Sequence, residues 1–98
     1  MQRHQIQLER KLHFVRNGKT SEGWVKIGPI EEIENGFWAC RYSISVIDEK
    51  GGVSRGVDAL DALGRCLRSL RNLIEGSEKD GFCKVWWLEE GDQGLIGV

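Results

Sequence analysis

The sequence predicts an α+β fold: an antiparallel β-meander of four strands, one long amphipathic helix packed on one face, and a fifth strand near the C-terminus. Three observations carry this reading. Asn17-Gly18 and Asn35-Gly36 each separate runs of alternating apolar and polar residues, and a two-residue hairpin turn needs the positive φ values that Asn-Gly adopts at little cost. Leu60, Leu63, Leu67, Leu70 and Ile74 recur at steps of three and four, the period of a helix with one buried stripe. Phe82 to Leu88 is a short apolar run beyond that helix.

A two-residue loop at Asn17-Gly18 sets Arg16 against Lys19, and therefore Leu8 against Ile27, Arg10 against Val25, Leu12 against Gly23 and Phe14 against Ser21. The same loop at Asn35-Gly36 sets Ile33 against Trp38, Ile27 against Ile44 and Val25 against Val46. Both turns select one apolar face, made of Leu8, Leu12, Phe14, Val25, Ile27, Ile33, Trp38, Tyr42, Ile44 and Val46; a slip of one residue would exchange core for solvent along a whole strand. Pro29 cannot donate to a ladder, so the second strand should divide into pieces near 22–28 and 30–34, with a bulge that relieves the mismatch of Glu31 facing Cys40.

Asp48-Glu49-Lys50-Gly51-Gly52 reads as a looser hairpin loop, with Val53 to Val57 returning as the fourth strand. The helix follows at once. Asp58 is the expected N-cap, Asp61 places charge where the helix dipole favours it, and Ala59, Ala62, Cys66 and Leu73 widen the leucine stripe. Gly76 is the expected stop, and Ser77 to Gly81 a polar link. The apolar residues of Phe82 to Leu88 fall on both parities, which suits a strand buried on both faces or covered by another chain. The last ten residues, with Gly91, Gly94 and Gly97 around Leu95 and Ile96, read as an irregular tail.

At 98 residues the chain is expected to form one domain over residues 1–98, and its 40% hydrophobic and 30% charged composition is globular. The formal net charge of -1 provides no overall attraction toward nucleic acid or anionic lipid. Charge is uneven, however: Arg3, Arg10, Lys11, Arg16 and Lys19 face only Glu9 among the first twenty residues, whereas residues 75–98 are acid-rich. Met1-Gln2-Arg3-His4-Gln5 has no apolar core of a signal peptide, and no stretch nears the ~18 apolar residues of a membrane span, so a cytoplasmic location is expected. Cys40, Cys66 and Cys83 contain no C-x-x-C spacing and read as buried small hydrophobes; Cys40, Cys83 and His13 are the set that could meet around a metal.

Motifs with a built-in phosphate, metal or nucleophile mechanism are missing from the sequence, so no catalytic residue, metal ligand or cofactor site is expected. His13 falls opposite Glu22 on the outer sheet face, an arrangement that fits a solvated contact better than a general base. Glu31-Glu32-Ile33-Glu34 fits a charged strand end that discourages edge pairing. Arg65, Arg68 and Arg71 form a loose basic band on the helix back.

The other side of the sheet is the more informative surface. By the same register it carries Lys11, His13, Trp24, Lys26, Ile30, Phe37, Arg41, Ser43 and Ser45, with Lys11 across from Trp24. Aromatics interleaved with basic side chains anchor protein partners or stack on bases. Lys11, His13, Trp24, Lys26, Phe37 and Arg41 are therefore the expected partner-binding residues, in a non-catalytic interaction domain whose partner is another protein or a second copy of the chain. The fifth strand, the tail or a second subunit could instead cover this face. Two other readings are a small-ligand or hydrolytic domain with a pocket between helix and sheet, using Tyr42, Asp58 or His13, and a weak single-stranded nucleic-acid binder.

Tyr42-Ser43-Ile44-Ser45-Val46, followed by Gly56-Val57-Asp58-Ala59-Leu60-Asp61-Ala62-Leu63, resembles small bacterial domain families of unknown function that combine a strand, a hairpin return and a G-x-D-A-L-x-A-L helix start. The same stretch is more faintly similar to the strand-to-helix unit of HicB-like antitoxins, where a Gly-x-[Thr/Asp] turn opens an Ala-Leu-rich helix. The likeness spans about residues 37–75 and its motif is structural: glycine for the turn, aspartate for the cap, alanine and leucine for packing. It implies a bacterial interaction protein of immunity or antitoxin type, and no family catalytic residue maps onto it.

Overall fold

The computed structural model describes residues 7–88 and Gly94. Five strands, β1 (Leu8–Arg16), β2 (Lys19–Glu32), β3 (Trp38–Ile44), β4 (Asp48–Gly56) and β5 (Lys84–Trp86), form one antiparallel sheet in the order β4-β3-β2-β1-β5, and α1 (Ala59–Lys79) packs against one face. The α+β meander with its fifth strand is thus the observed architecture. The expectation for the tail around Gly91, Leu95, Ile96 and Gly97 lies outside the described residues.

The first hairpin has the register read from its turn, from Leu8–Ile27 through to Arg16–Lys19. Asn17 and Gly18 have φ of 52° and 75°, as a tight hairpin turn requires. The second Asn-Gly pair turns differently. Asn35 and Gly36 also have positive φ, but they lie in a single 3-10 turn, Glu34–Gly36, where the Ile33 amide donates to the Phe37 carbonyl at 2.7 Å and the Phe37 amide to the Glu34 carbonyl at 3.2 Å. This longer connection pairs Glu32 with Trp38 and Ile30 with Cys40, in place of Ile33 with Trp38 and Glu31 with Cys40.

A bulge at Gly28 and Pro29 then shifts the ladder, so that Ile27 meets Tyr42 and Val25 meets Ile44. Relative to the expected pairs this second shift is two residues, which preserves the face of Val25 and Ile27. Several side chains differ from expectation. Ile30, placed on the outer face by the simple register, turns inward beside Cys40 and packs on the core. Ile33 and Leu8, assigned to the core, are exposed, because the one sits in the connecting loop and the other at the open end of β1.

The second correction concerns the turn into β4, which lies at residues 45–47 and not at Asp48–Gly52. Ser45 is buried, and its hydroxyl accepts from the Trp24 amide at 2.8 Å and lies 3.2 Å from the Trp24 carbonyl, which also receives the Ser45 amide at 2.9 Å. The serine side chain stands in for the next ladder partner and ends β3 at Ile44. The chain then reverses around Val46, whose φ is 72°, with the Ile47 amide donating to the Ser45 carbonyl at 2.8 Å. A β-branched residue seldom takes that conformation, since its branched Cβ crowds the adjacent carbonyl. The five residues expected as a loop are instead the first part of β4, bulged where Gly51 (φ 68°) donates to Asp48 Oδ1 at 3.0 Å.

Asp58 is the N-cap of α1, its carboxylate accepting from the Asp61 amide at 2.7 Å. Asp61 reaches back to the Val57 amide at 3.0 Å, a reciprocal pair of the capping-box kind. The centre of the buried stripe is Ala62, Cys66, Leu70 and Ile74, with Leu63, Leu67 and Leu73 flanking it and Leu60 turned to solvent. Small residues at 62 and 66 let the helix approach closely: a Cβ on Gly56 would strike the Ala62 amide. The helix passes Gly76 and ends at Lys79, because Gly81, with φ 73°, supplies the left-handed residue beyond Asp80. The three cysteines are buried, as expected.

Because the Ser45 hydroxyl supplies the acceptor for a partly buried amide, Ser45→Ala should cost about 1–3 kcal/mol, read as a lower urea midpoint at unchanged slope. Asp61 gives a pH signature. The Val57 amide, then Arg65, hold its carboxyl below the ordinary value of 3.8. A lowered folded pKa contributes stability above the unfolded pKa and loses it as pH falls through the folded value. Asp61→Asn should therefore be less stable than the parent at neutral pH, with the gap closing below pH 3.8 in parallel thermal melts.

Candidate partner-binding face

The helix covers one face of the sheet, and the described residues leave the other uncovered. Alternation along the strands decides which side chains stand there: Lys11 and His13 from β1, Trp24 and Lys26 from β2, Arg41 and Ser43 from β3. The structure thus brings together five of the six expected partner-binding residues. Phe37 departs from them, since its loop carries it to the end of the sheet, where it lines a depression with Ile33 and Val57. Ser45 also leaves the set, being buried against Trp24.

The fifth strand does not cover this face; it extends it. Residues His13, Phe14 and Val15 of β1 pair with Trp86, Val85 and Lys84 of β5, so the strand lies edge to edge with β1. Its double parity follows from that position. Cys83 and Val85 enter the core, Trp86 joins the outer face, and Phe82 and Trp87 lie under the guanidiniums of Arg16 and Arg10, at 4.3 and 3.7 Å from the ring centroids. Trp86 is the site residue that the sequence reading missed. Its signal was present in the alternation of Lys84 and Trp86 with Cys83 and Val85.

The aromatic groups on this face are flat, half-exposed platforms. His13 stacks on Trp86 with centroids 4.1 Å apart and planes inclined by 20°. Lys26 Nζ sits 4.4 Å from the Trp24 ring centroid, a cation–π contact of about 0.5–1 kcal/mol at an exposed site. Glu22, opposite His13 in register, pairs instead with Lys11 at 3.5 Å between exposed side chains, an interaction too weak to hold the surface rigid. Arg41 and its neighbour Val53 on β4 are exposed, and Lys84 adds a further cation beside Trp86.

The described residues show no constellation of nucleophile, base and oxyanion donors. The cysteine thiols are buried, and burial raises the pKa of both Cys40 and Cys66, whose sulfurs donate to the Arg41 carbonyl at 3.7 and 3.8 Å. Raised in this way, the Cys40 and Cys66 thiols are poor nucleophiles. His13 stands on the opposite side of the sheet from Cys40, so the metal set named from the sequence does not meet. Among the described residues no three of His, Cys, Asp and Glu come together as a metal site. A groove of about 300 Å³ does run between helix and sheet, lined by Leu8, Arg10, Val25, Ile27, Leu63 and Leu67. Tyr42, Asp58 and His13, the residues expected to work in such a groove, do not line it.

A family model for a domain of unknown function, DUF6968, matches residues 8–96, which includes every described element and the whole outer face. The chain belongs to the DUF6968 family. No curated protein and no solved structure matches it. The α1 helix of this DUF6968 domain is not long and apolar enough to cross a membrane, and neither is any other helix among the described residues. Removing one platform should loosen the edge of the domain. Trp86→Ala is expected to lower stability by about 1 kcal/mol through the lost stacking alone, and to speed amide exchange at Lys84 to Trp86 before the rest of the sheet.

Proposed function

We propose that this DUF6968 domain is a non-catalytic protein-interaction module that binds an acidic surface of a protein partner on its outer sheet face. The observation that carries the reading is the uncovered face itself, with Trp24 and the His13–Trp86 stack set among Lys11, Lys26, Arg41 and Lys84. Half-exposed tryptophan and arginine on one face is the composition of interface hot spots, where a rigid ring gives area at low entropy cost and the guanidinium gives directed bonds. The stretch that resembles HicB-like antitoxins favours a neutralising or immunity-type role in a bacterial cytoplasm. Single-stranded nucleic acid would use the same rings for stacking, but a formal net charge of -1 provides no long-range attraction for a phosphate backbone.

The test is a tagged capture from the native host, identification of any stoichiometric partner, and calorimetry of the purified pair. The Trp24→Ala, Arg41→Ala double variant should keep its thermal transition and weaken binding at least tenfold. Binding that persists in the double variant, or loss of the fold, overturns the assignment of this face. A log-affinity slope against log salt as steep as several released counterions would point to nucleic acid instead.

A further inference from the structure

Alternation along β1 sets Leu8, Arg10, Leu12 and Phe14 on the helix side of the sheet, where Leu12 and Phe14 are buried. Arg10 is therefore a cation in a core-facing row, opposite the buried Val25. It is half-buried, and among the described residues no carboxylate pairs with it. Glu9, its neighbour in the chain, stands opposite Lys26 and projects to the outer face. Taking a guanidinium out of bulk water costs free energy that a counter-ion ordinarily offsets, so an inward-facing arginine without one calls for a partner.

The space beside Arg10 follows from how the helix and the last strand lie. α1 packs chiefly over β3 and β4, and β5 pairs with β1 only at His13, Phe14 and Val15, so the helix side of the first half of β1 is left open. The result is the groove of about 300 Å³, in which Leu8, Val25 and Ile27 from the sheet meet Leu63 and Leu67 from the helix. That volume is at the lower end of the ~300–1,000 Å³ of small-ligand sites. Leu8 is 53% exposed there, apolar surface that a core would ordinarily claim. Arg10 is also held in place. Its guanidinium lies over the Trp87 ring at 3.7 Å from the centroid, and Gly94 abuts it so closely that a Cβ there would strike Nη1. Stacking engages the face of the planar group and leaves its in-plane N–H donors for a carboxylate, which they meet in a two-bond fork.

We propose that the groove between α1 and β1 binds a small carboxylic acid with an aliphatic body, its carboxylate paired with Arg10 and its chain laid on Leu8, Ile27, Leu63 and Leu67. The lining selects the body, since among the described residues it is aliphatic and carries no aromatic ring. The unpaired guanidinium selects the head group. The site lies on the opposite side of the sheet from the outer face, so the failure of either reading leaves the other standing.

Octanoate and octanol share a chain and differ in charge, and they are the probes, titrated at neutral pH into the isotope-labelled full chain and followed by amide chemical shifts. Octanoate should move the amides of Leu8 to Arg10, Leu63 and Leu67 saturably, and bind about tenfold more tightly than octanol. Arg10→Gln should erase that preference and keep the octanol affinity. Leu8→Glu, at an exposed strand end where the fold tolerates it, gives Arg10 a carboxylate of its own and should erase the preference by a second route. Trp24→Ala with Arg41→Ala should bind both probes as the parent does. The proposal fails if neither probe saturates, if both bind the parent equally, if the preference survives Arg10→Gln and Leu8→Glu, or if the shifts centre on Trp24 and Arg41. It fails also if octanoate binds only once Leu95→Asp and Ile96→Asp are introduced, which would make the chain's own residues 95 and 96 the occupant. Groove amides that shift with protein concentration alone would overturn it in favour of a second copy.

Discussion

The register of the first hairpin is the constraint on which the remaining structure rests. Asn17 and Gly18 reverse the chain in two residues, and this places Leu12, Phe14, Val25 and Ile27 on one side and Lys11, His13, Trp24 and Lys26 on the other. A slip of one residue would send Phe14 to solvent and Trp24 under the helix, and no shift elsewhere could restore both. The third and fifth strands inherit their sides from this hairpin, Ile44 through Val25 and Val85 through Phe14. The helix follows in turn. It can lie only where the apolar set is, with Gly56 allowing its first turn to rest on the end of β4.

Legibility in the sequence tracks how local the deciding interaction is. The Asp58 cap, the first turn and the existence of five strands and one helix depend on residues close in sequence, and all were readable. The turn at Val46 was not, because it depends on Ser45 reaching Trp24 across twenty-one positions, and nothing near Val46 predicts a positive φ. The same holds at Asn35-Gly36: the dipeptide takes positive φ as its chemistry suggests, but a 3-10 turn accommodates those angles in a longer loop and moves the ladder by one. Gly76 looked like a stop because glycine lowers helix propensity, yet the helix ran on until Gly81 offered the left-handed angle that a helix end uses.

The same distinction divides the site. Lys11, His13, Trp24 and Lys26 take the expected face because the first hairpin has the expected register, and Arg41 because a two-residue error in the second register preserves the face, whereas Phe37 and Ile30 were misplaced where the error was odd. Trp86 could be read as a strand residue but not as a neighbour of His13. Strand order, which puts β5 beside β1 and not beside β4, comes from the helix carrying the chain back across the sheet and from Phe14, Val85 and Cys83 sharing one core.

Among the described residues the outer face is open although it carries tryptophan, and that is the physical question the fold raises. A single helix suffices to cover one side of the sheet, and the aromatic groups on the other side are partly shielded by contacts that are easily exchanged. Lys26 lies over Trp24 and His13 lies on Trp86, each through a contact of about 0.5–1.5 kcal/mol. Such partners reduce the exposed apolar area of the free domain without sealing it. Under the proposed role, an acidic partner would draw off Lys26 and one of its apolar side chains would take the lysine's place against the Trp24 ring, exchanging one modest contact for a larger buried area. A bare ring would carry a stickier surface, and a ring under a fixed ion pair a costlier one to open; the lysine-capped ring lies between, which suits the role proposed for this face.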